Sequence, residues 1–543
     1  MRHIRIPFLV VVLSLALTGM AFALDLPRIT TWSAGTIPGL TVLGVGGGGS
    51  GFGDTLVGPL YDVRQLTDPN LPGTAGTTAR AQYTLIAIVN TDPTWGTVAR
   101  LRFREWKRSR ECLDLDIPLT SNDVWVAEVS RVSGGGAVLN SPDRYVSQIP
   151  ASLNTAFTTS LFPTGGFPFL PYAIESQETN PAARCEYGYF ELIGEEKVYA
   201  PNTTFQFPRV GTVAGGVYTP VLATDPPTGY GGGRDVGSVL MGNTYIIRPD
   251  VAISHQYNLT AIANFAVDPA GIWASTATAF PTLKSAVQGE GTNPGAGGFD
   301  NLEALLSKRW VDFQYVDQGA LGGYDPADTT LTPMSTSAVI TFPTKHHHYA
   351  TTAPFSILAG ALGTPFTGAR ETSGDQSLTP AQATPDFGEI VTAATYDRSE
   401  HLLTVPTTAI SPSPTPGITR LPYEVNIIGL RPVDSPVIDF RNNVVLPTSN
   451  TVTSQLFFSG WAEIDLSPYV PISSADTRTN PQGKVVPGTF NFFNNFFSVY
   501  RGLPALGIVM TEFYNGAVSG YYGNTVPWQY GVDWRQGAVL PND

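Results

Sequence analysis

Five histidines lie beyond the first 23 residues, His255, His346, His347, His348 and His401, and any imidazole chemistry must use one of them. If the triplet after Lys345 is extended, His346 and His348 share a face and offer two imidazoles to a transition metal that still needs a third ligand. A polar strand end beside Tyr349 is the competing reading of the same residues. Ser254 and His255 are neighbours, and neighbours on a strand point to opposite faces, so they make no Ser–His pair. No Gly-x-Ser-x-Gly elbow and no Gly-Lys-Ser/Thr phosphate loop is present. Gly44-Val45-Gly46-Gly47-Gly48-Gly49 matches Gly-x-Gly-x-x-Gly, yet Ser50-Gly51-Phe52-Gly53-Asp54 continues as loop where a dinucleotide site needs a helix N-terminus.

Three further sets could carry chemistry. Arg100, Arg102 and Arg104 alternate with Leu101 and Phe103, which places the arginines on one strand face. That face reads as solvated and paired with Glu105, Glu111, Asp114 and Asp116, ahead of an anion-binding stripe. Asp225, Asp235, Asp325 and Asp328 each stand within two residues of Pro or Gly, in loops of the kind that give oxygen ligands to Ca2+; ordinary turn-forming aspartate is the other reading. Cys112 and Cys185 are the only cysteines, and in an oxidising compartment a single disulfide between them is the simplest outcome.

These groups have to be positioned by strands. The 543 residues are 42% hydrophobic and only 14% charged, with 56 Gly and 45 Pro, a composition of strands and turns. The formal net charge of −13 repels phosphate backbones, so nucleic acid is excluded as a partner. At the start, Arg2 and Arg5 precede an apolar run from Ile6 to Leu17 and then Ala21-Phe22-Ala23. This is a signal-peptide pattern with the mature chain starting at Leu24, and the apolar run is short for a membrane span.

Tyr83-Thr84-Leu85-Ile86-Ala87-Ile88-Val89 followed by Thr97–Trp106 reads as a hairpin, and Val124-Trp125-Val126 and Tyr187–Ile193 read as further strands. From Asn258 to Phe280 and from Asn301 to Val311, alanine and leucine fall at helical spacing, which predicts short helices. Strands return with Ala338–Phe342, Glu424–Gly429, Gly460–Leu466 and Gly507–Phe513. The fold class is therefore mainly β, with two or more β-sandwich-like domains and a few short helices in the connecting segment. Its expected parts are a signal peptide at 1–23, an N-terminal β-domain at 24–215, a mixed segment at 216–350 and a C-terminal β-domain at 351–543.

Ile88-Val89-Asn90-Thr91, Arg102-Phe103-Arg104-Glu105, Ser109-Arg110-Glu111, Leu113-Asp114-Leu115-Asp116 and Ser121-Asn122-Asp123-Val124-Trp125 form a block that resembles one recurring in exported, β-rich surface proteins of Gram-negative bacteria. Glu186-Tyr187-Gly188-Tyr189-Phe190-Glu191, Thr341-Phe342-Pro343-Thr344-Lys345 and Gly502-Leu503-Pro504-Ala505-Leu506-Gly507 are similar to later landmarks of the same group. The resemblance spans most of the chain and implies one shared architecture at the cell surface, without an activity.

Together these features point to an exported cell-surface structural protein, not an enzyme. It is expected to self-assemble into a surface layer or other array, in contact with cell-envelope components and with divalent cations bridging acidic neighbours. A secreted binding or adhesion module using the 22 Tyr and 9 Trp, and an outer-membrane β-barrel, are the alternatives.

Overall fold

A computed structural model describes residues 51–67, 79–93, 95–119, 121–142, 165–170, 181–199, 211–214, 217–220, 238–249, 252–262, 265, 282–283, 302, 306–308, 310–316, 334–348, 389–397, 399, 402, 418–431, 443–447, 449–450, 455–456, 459–466, 503–515, 520–527 and 529–531. In the N-terminal half, eleven strands carry the architecture. They are β1 (Thr55–Asp62), β2 (Tyr83–Asn90), β3 (Trp95–Glu105), β4 (Glu111–Leu119), β5 (Val124–Arg131), β6 (Ala137–Asn140), β7 (Phe167–Pro168), β8 (Tyr187–Tyr199), β9 (Leu240–Arg248), β10 (Ile253–Asn258) and β11 (Thr260–Ile262). They form two antiparallel sheets: sheet I in the order β10-β9-β2-β5-β6-β7, and sheet II in the order β11-β1-β8-β3-β4.

Ten more strands build the second half. They are β12 (Trp310–Val316), β13 (Met334–Thr341), β14 (Glu389–Asp397), β15 (Ile418–Leu421), β16 (Val425–Arg431), β17 (Val444–Pro447), β18 (Ser459–Asp465), β19 (Leu506–Asn515), β20 (Gly520–Pro527) and β21 (Gln529–Gly531). Sheet III runs β17-β16-β13-β19-β20, with β16 and β17 parallel, and sheet IV runs β15-β14-β18-β12-β21. The fold is mostly β, in open sheets packed as sandwiches. Among the described residues no helix is long and apolar enough to cross a membrane.

The packing follows from strand periodicity. Sheets I and II close on a core of Ile86, Ile88, Trp125, Leu56, Leu101, Phe190 and Leu192, with Tyr61, Phe103 and Phe169 meeting at ring separations of 4.8–5.7 Å. Sheet III is apolar on both faces. Val339, Val425, Ile427, Leu506 and Ile508 join that first core, while Ala338, Ile340, Ile428, Leu430 and Val509 form a second core with Val311, Phe313, Ala462 and Ile464 of sheet IV. A strand buried on both sides loses its apolar/polar alternation, as Ala338-Val339-Ile340 of β13 and Ile427-Ile428 of β16 do.

Of the described residues in the ranges 258–280 and 301–311, expected to be helical, 302 and 306 are helical and the strand residues correct the expectation. Residues 260–262 are β11, 307–308 pair with 503–504, and 310–316 are β12. A period of two prevails there because Val311, Phe313 and Tyr315 are buried in the second core, while Trp310, Asp312 and Gln314 take the other face. Elsewhere, α1 (Pro181–Arg184) is a single turn before β8.

Candidate functional sites

Arg100, Arg102 and Arg104 share a face, as their spacing requires, but the face is buried. The expectation of a solvated row is therefore corrected. In register, β4 sets Asp116 opposite Arg100 and Asp114 opposite Arg102, while β8 sets Glu191 opposite Arg102 and Tyr189 opposite Arg104. Arg100 Nη1 donates to Asp116 Oδ1 at 2.8 Å, and its Nη2 pairs with Asp114. Arg102 lies 2.8 Å from Glu111 Oε2 and 3.3 Å from Glu191 Oε1, and Arg104 Nε donates to Glu191 Oε1 at 2.7 Å. Cross-strand neighbours on one face stand about 5 Å apart, so each guanidinium can reach a carboxylate on the adjacent strand.

Electrostatics follow the geometry. Burial opposes ionisation of Glu191, but Arg104 and Arg102 outweigh it and hold its carboxyl below the usual range. Asp116 goes the other way: burial, with Asp114 adding to it, overcomes Arg100 and pushes it up to about 6. The arginine row is thus internally neutralised, with its charge consumed by structure.

Beside it, Glu105 is a buried carboxylate that organises the β3–β4 turn. It accepts the backbone N–H groups of Lys107 at 2.6 Å and Arg108 at 2.8 Å and pairs with Arg184 of α1. Cys112 and Cys185 form a disulfide, with Cα atoms 5.9 Å apart, that fixes α1 to β4 at this corner. Gly188 lies opposite Glu105, where a Cβ would stand 1.9 Å from the Arg104 carbonyl oxygen; only glycine lets β8 approach β3 this closely.

The histidines separate. His346 and His348 sit in a 3-10 turn, Lys345–His348, so the strand geometry that would align them is absent. The His346 and His347 rings lie 3.7 Å apart, and His346 Nδ1 is 3.3 Å from Tyr189 Oη. Among the described residues no group of three or more His, Cys, Asp or Glu is arranged to hold a metal. Asp225, Asp235, Asp325, Asp328, His401 and the Gly44–Gly49 run lie outside the described residues.

Ser254 is exposed and His255 buried, on opposite faces of β10. His255 instead reaches across to sheet III. Its Nε2 is 2.8 Å from Glu512 Oε1, its Nδ1 is 3.2 Å from both Thr525 Oγ1 and the Asn524 carbonyl oxygen, and Arg248 pairs with the same Glu512. A hydroxyl, an imidazole and a carboxylate in line are the parts of a nucleophile-activating relay. Here they are closed in between β10 and β20: a Cβ on Gly523 would meet Ile253 at 2.8 Å and His255 at 3.0 Å, which leaves little room for a substrate. The arrangement ties sheet I to sheet III. Partners 257 to 270 positions away carry no local signal, so spacing could not have found it.

Two sheet faces look outward. On sheet I, Met241 pairs with Val89 and Val89 with Val124, Ala87 pairs with Val126, and Leu85 pairs with Tyr245. Val124 is 51%, Val126 39% and Met241 37% exposed, so apolar side chains are contiguous across three strands where a water-facing antiparallel sheet is normally polar. On sheet IV the outward residues include Asp312, Trp461, Glu463, Asp465 and Tyr396. Comparison with family models, curated protein sequences and solved structures gives no match for the chain.

Proposed function

We propose that the protein is an exported structural subunit of the cell surface that self-assembles, with the outer face of sheet I as a contact between copies. The observation that carries this reading is the apolar surface across β9, β2 and β5, since large exposed apolar patches mark interaction sites. Two features of the chain agree with it. The N-terminal leader pattern directs export, and among the described residues the arginine row and the His255–Glu512 pair are committed to buried contacts within the fold. The acidic balance of −13 opposes close packing of copies, so divalent cations should favour assembly and a chelator should weaken it.

The test is sedimentation velocity on the chain from Leu24 onward, with and without calcium, beside the variant Val126→Asp/Met241→Glu. Concentration-dependent assembly of the parent, enhanced by calcium and lost in the variant, is the expected result. A parent that stays monomeric at high concentration in both conditions, and is missing from isolated cell envelopes, overturns the proposal.

A further inference from the structure

We infer that the outer face of sheet IV is a docking site for an arginine-bearing basic segment of another polypeptide. Three strands build it. Tyr396 of β14 stands opposite Trp461 of β18, and their rings stack at 4.0 Å with an interplanar angle of 9°. Two residues along β18, about 7 Å away, Glu463 stands opposite Asp312 of β12, and Asp465 is two residues further on. Gly460 permits the approach that stacks the rings, since a Cβ there would lie 1.8 Å from the Tyr396 carbonyl oxygen.

The pairing of Asp312 with Glu463 is the unexpected element. Like charges directly opposite on neighbouring strands destabilise a sheet. Neither carboxylate has a cationic partner among the described residues, and Asp312 Oδ1 is buried without a hydrogen bond. Burial raises the proton affinity of both groups, and for Glu463 repulsion from Asp312 and Asp465 adds to it. A bound cation relieves that repulsion; a neutral ligand does not.

The shape of the site selects the cation. Among the described residues no three His, Cys, Asp or Glu side chains are grouped to hold a metal. A planar guanidinium can instead lie against the half-buried aromatic pair while forking onto a carboxylate about 7 Å along the strand. The inference stands on sheet IV alone and does not depend on self-assembly through sheet I.

Calorimetric titration of the chain from Leu24 onward with a hexa-arginine peptide, at near-physiological salt, tests it. Asp312→Asn/Glu463→Gln should weaken binding about tenfold or more and Trp461→Leu about fivefold. The charge-matched control Asp123→Asn/Glu128→Gln should change it by less than about twofold, since diffuse attraction is screened. Hexa-lysine should bind more weakly than hexa-arginine. Glu463→Gln should keep or raise the thermal midpoint, which separates loss of binding from loss of fold. Equal losses in the control, equal affinity for the two peptides, or stoichiometric calcium binding that displaces the peptide would each overturn the assignment.

Discussion

The buried face of sheet II and the outer face of sheet I belong to one sandwich and are mirror images in chemistry. Sheet II takes three guanidiniums and the carboxylates of Asp114, Asp116 and Glu191 out of water. Sheet I leaves Val124, Val126 and Met241 in it. The charged face is satisfied from within, because β4, β3 and β8 bring opposite charges into register on three adjacent strands. The apolar face has no such internal answer. Charge on sheet II is therefore spent on pairing its own strands, while the outer face of sheet I leaves apolar surface in water.

If that contrast is right, the charged face should be intolerant of single changes. Arg102 and Arg104 both lean on Glu191. Glu191→Gln leaves two buried guanidiniums short of a counter-charge and should cost about 3–5 kcal/mol in urea unfolding, the range for breaking a buried pair from one side. Replacing the arginines and Glu191 together by apolar residues of similar volume should cost less than Glu191→Gln alone. A loss under about 1 kcal/mol in Glu191→Gln would break the comparison. The adjacent corner gives the next effect: Cys112→Ala/Cys185→Ala opens a link between residues 73 apart and should cost about 2–4 kcal/mol.

The same contrast marks where the sequence could be read. The β class and the strands at 83–90 and 187–199 follow from β-branched runs and turns, and the cysteines were too few to pair otherwise. Alternation also placed Arg100, Arg102 and Arg104 on one face. A period of two says which residues share a face, not whether another layer covers it. Here the decisive partner, Glu191, lies 87 positions from Arg104. The His346/His348 reading assumed an extended chain, which the turn after Pro343 does not provide. The sheet IV face was illegible for the same reason as Glu191, since Asp312, Tyr396 and Trp461 become neighbours only through sheet order.

Acidity offers a finer probe of the buried row. The folded protein holds the Asp116 proton up to about pH 6, against an ordinary 3.8, so between these values the folded state binds more protons than the unfolded state. The contribution from Asp116 is fully present below about pH 4 and is lost as pH rises through 6. The lowered Glu191 carboxyl acts in the opposite sense, losing its contribution as pH falls. Comparing the parent with Asp116→Asn cancels Glu191 and the exposed acids. The stability of the parent relative to the variant should fall by about 2–3 kcal/mol between pH 4 and 6.5, measured by urea midpoints. A flat difference would mean that Arg100 keeps Asp116 ionised throughout.

The smallest effect belongs to the apolar face, and its smallness is informative. Val126 of β5 and its neighbour Trp125 differ by one position along the strand and point to opposite sides; Trp125 is buried in the core, while Val126 is 39% exposed. Truncating Trp125 to Ala should cost about 3–5 kcal/mol, because the lost side chain leaves a cavity. Val124→Thr/Val126→Thr keeps the β-branched shape that strands favour, removes no inward contact and places the new hydroxyls toward water. The stability of the isolated subunit should then change by no more than about 0.5 kcal/mol. Association should still weaken, because a contact between copies would have to bury those hydroxyls without assured partners. A substitution silent in unfolding but visible in sedimentation assigns sheet I to contact between molecules; a stability loss near that of Trp125→Ala would assign it to the fold of the single chain.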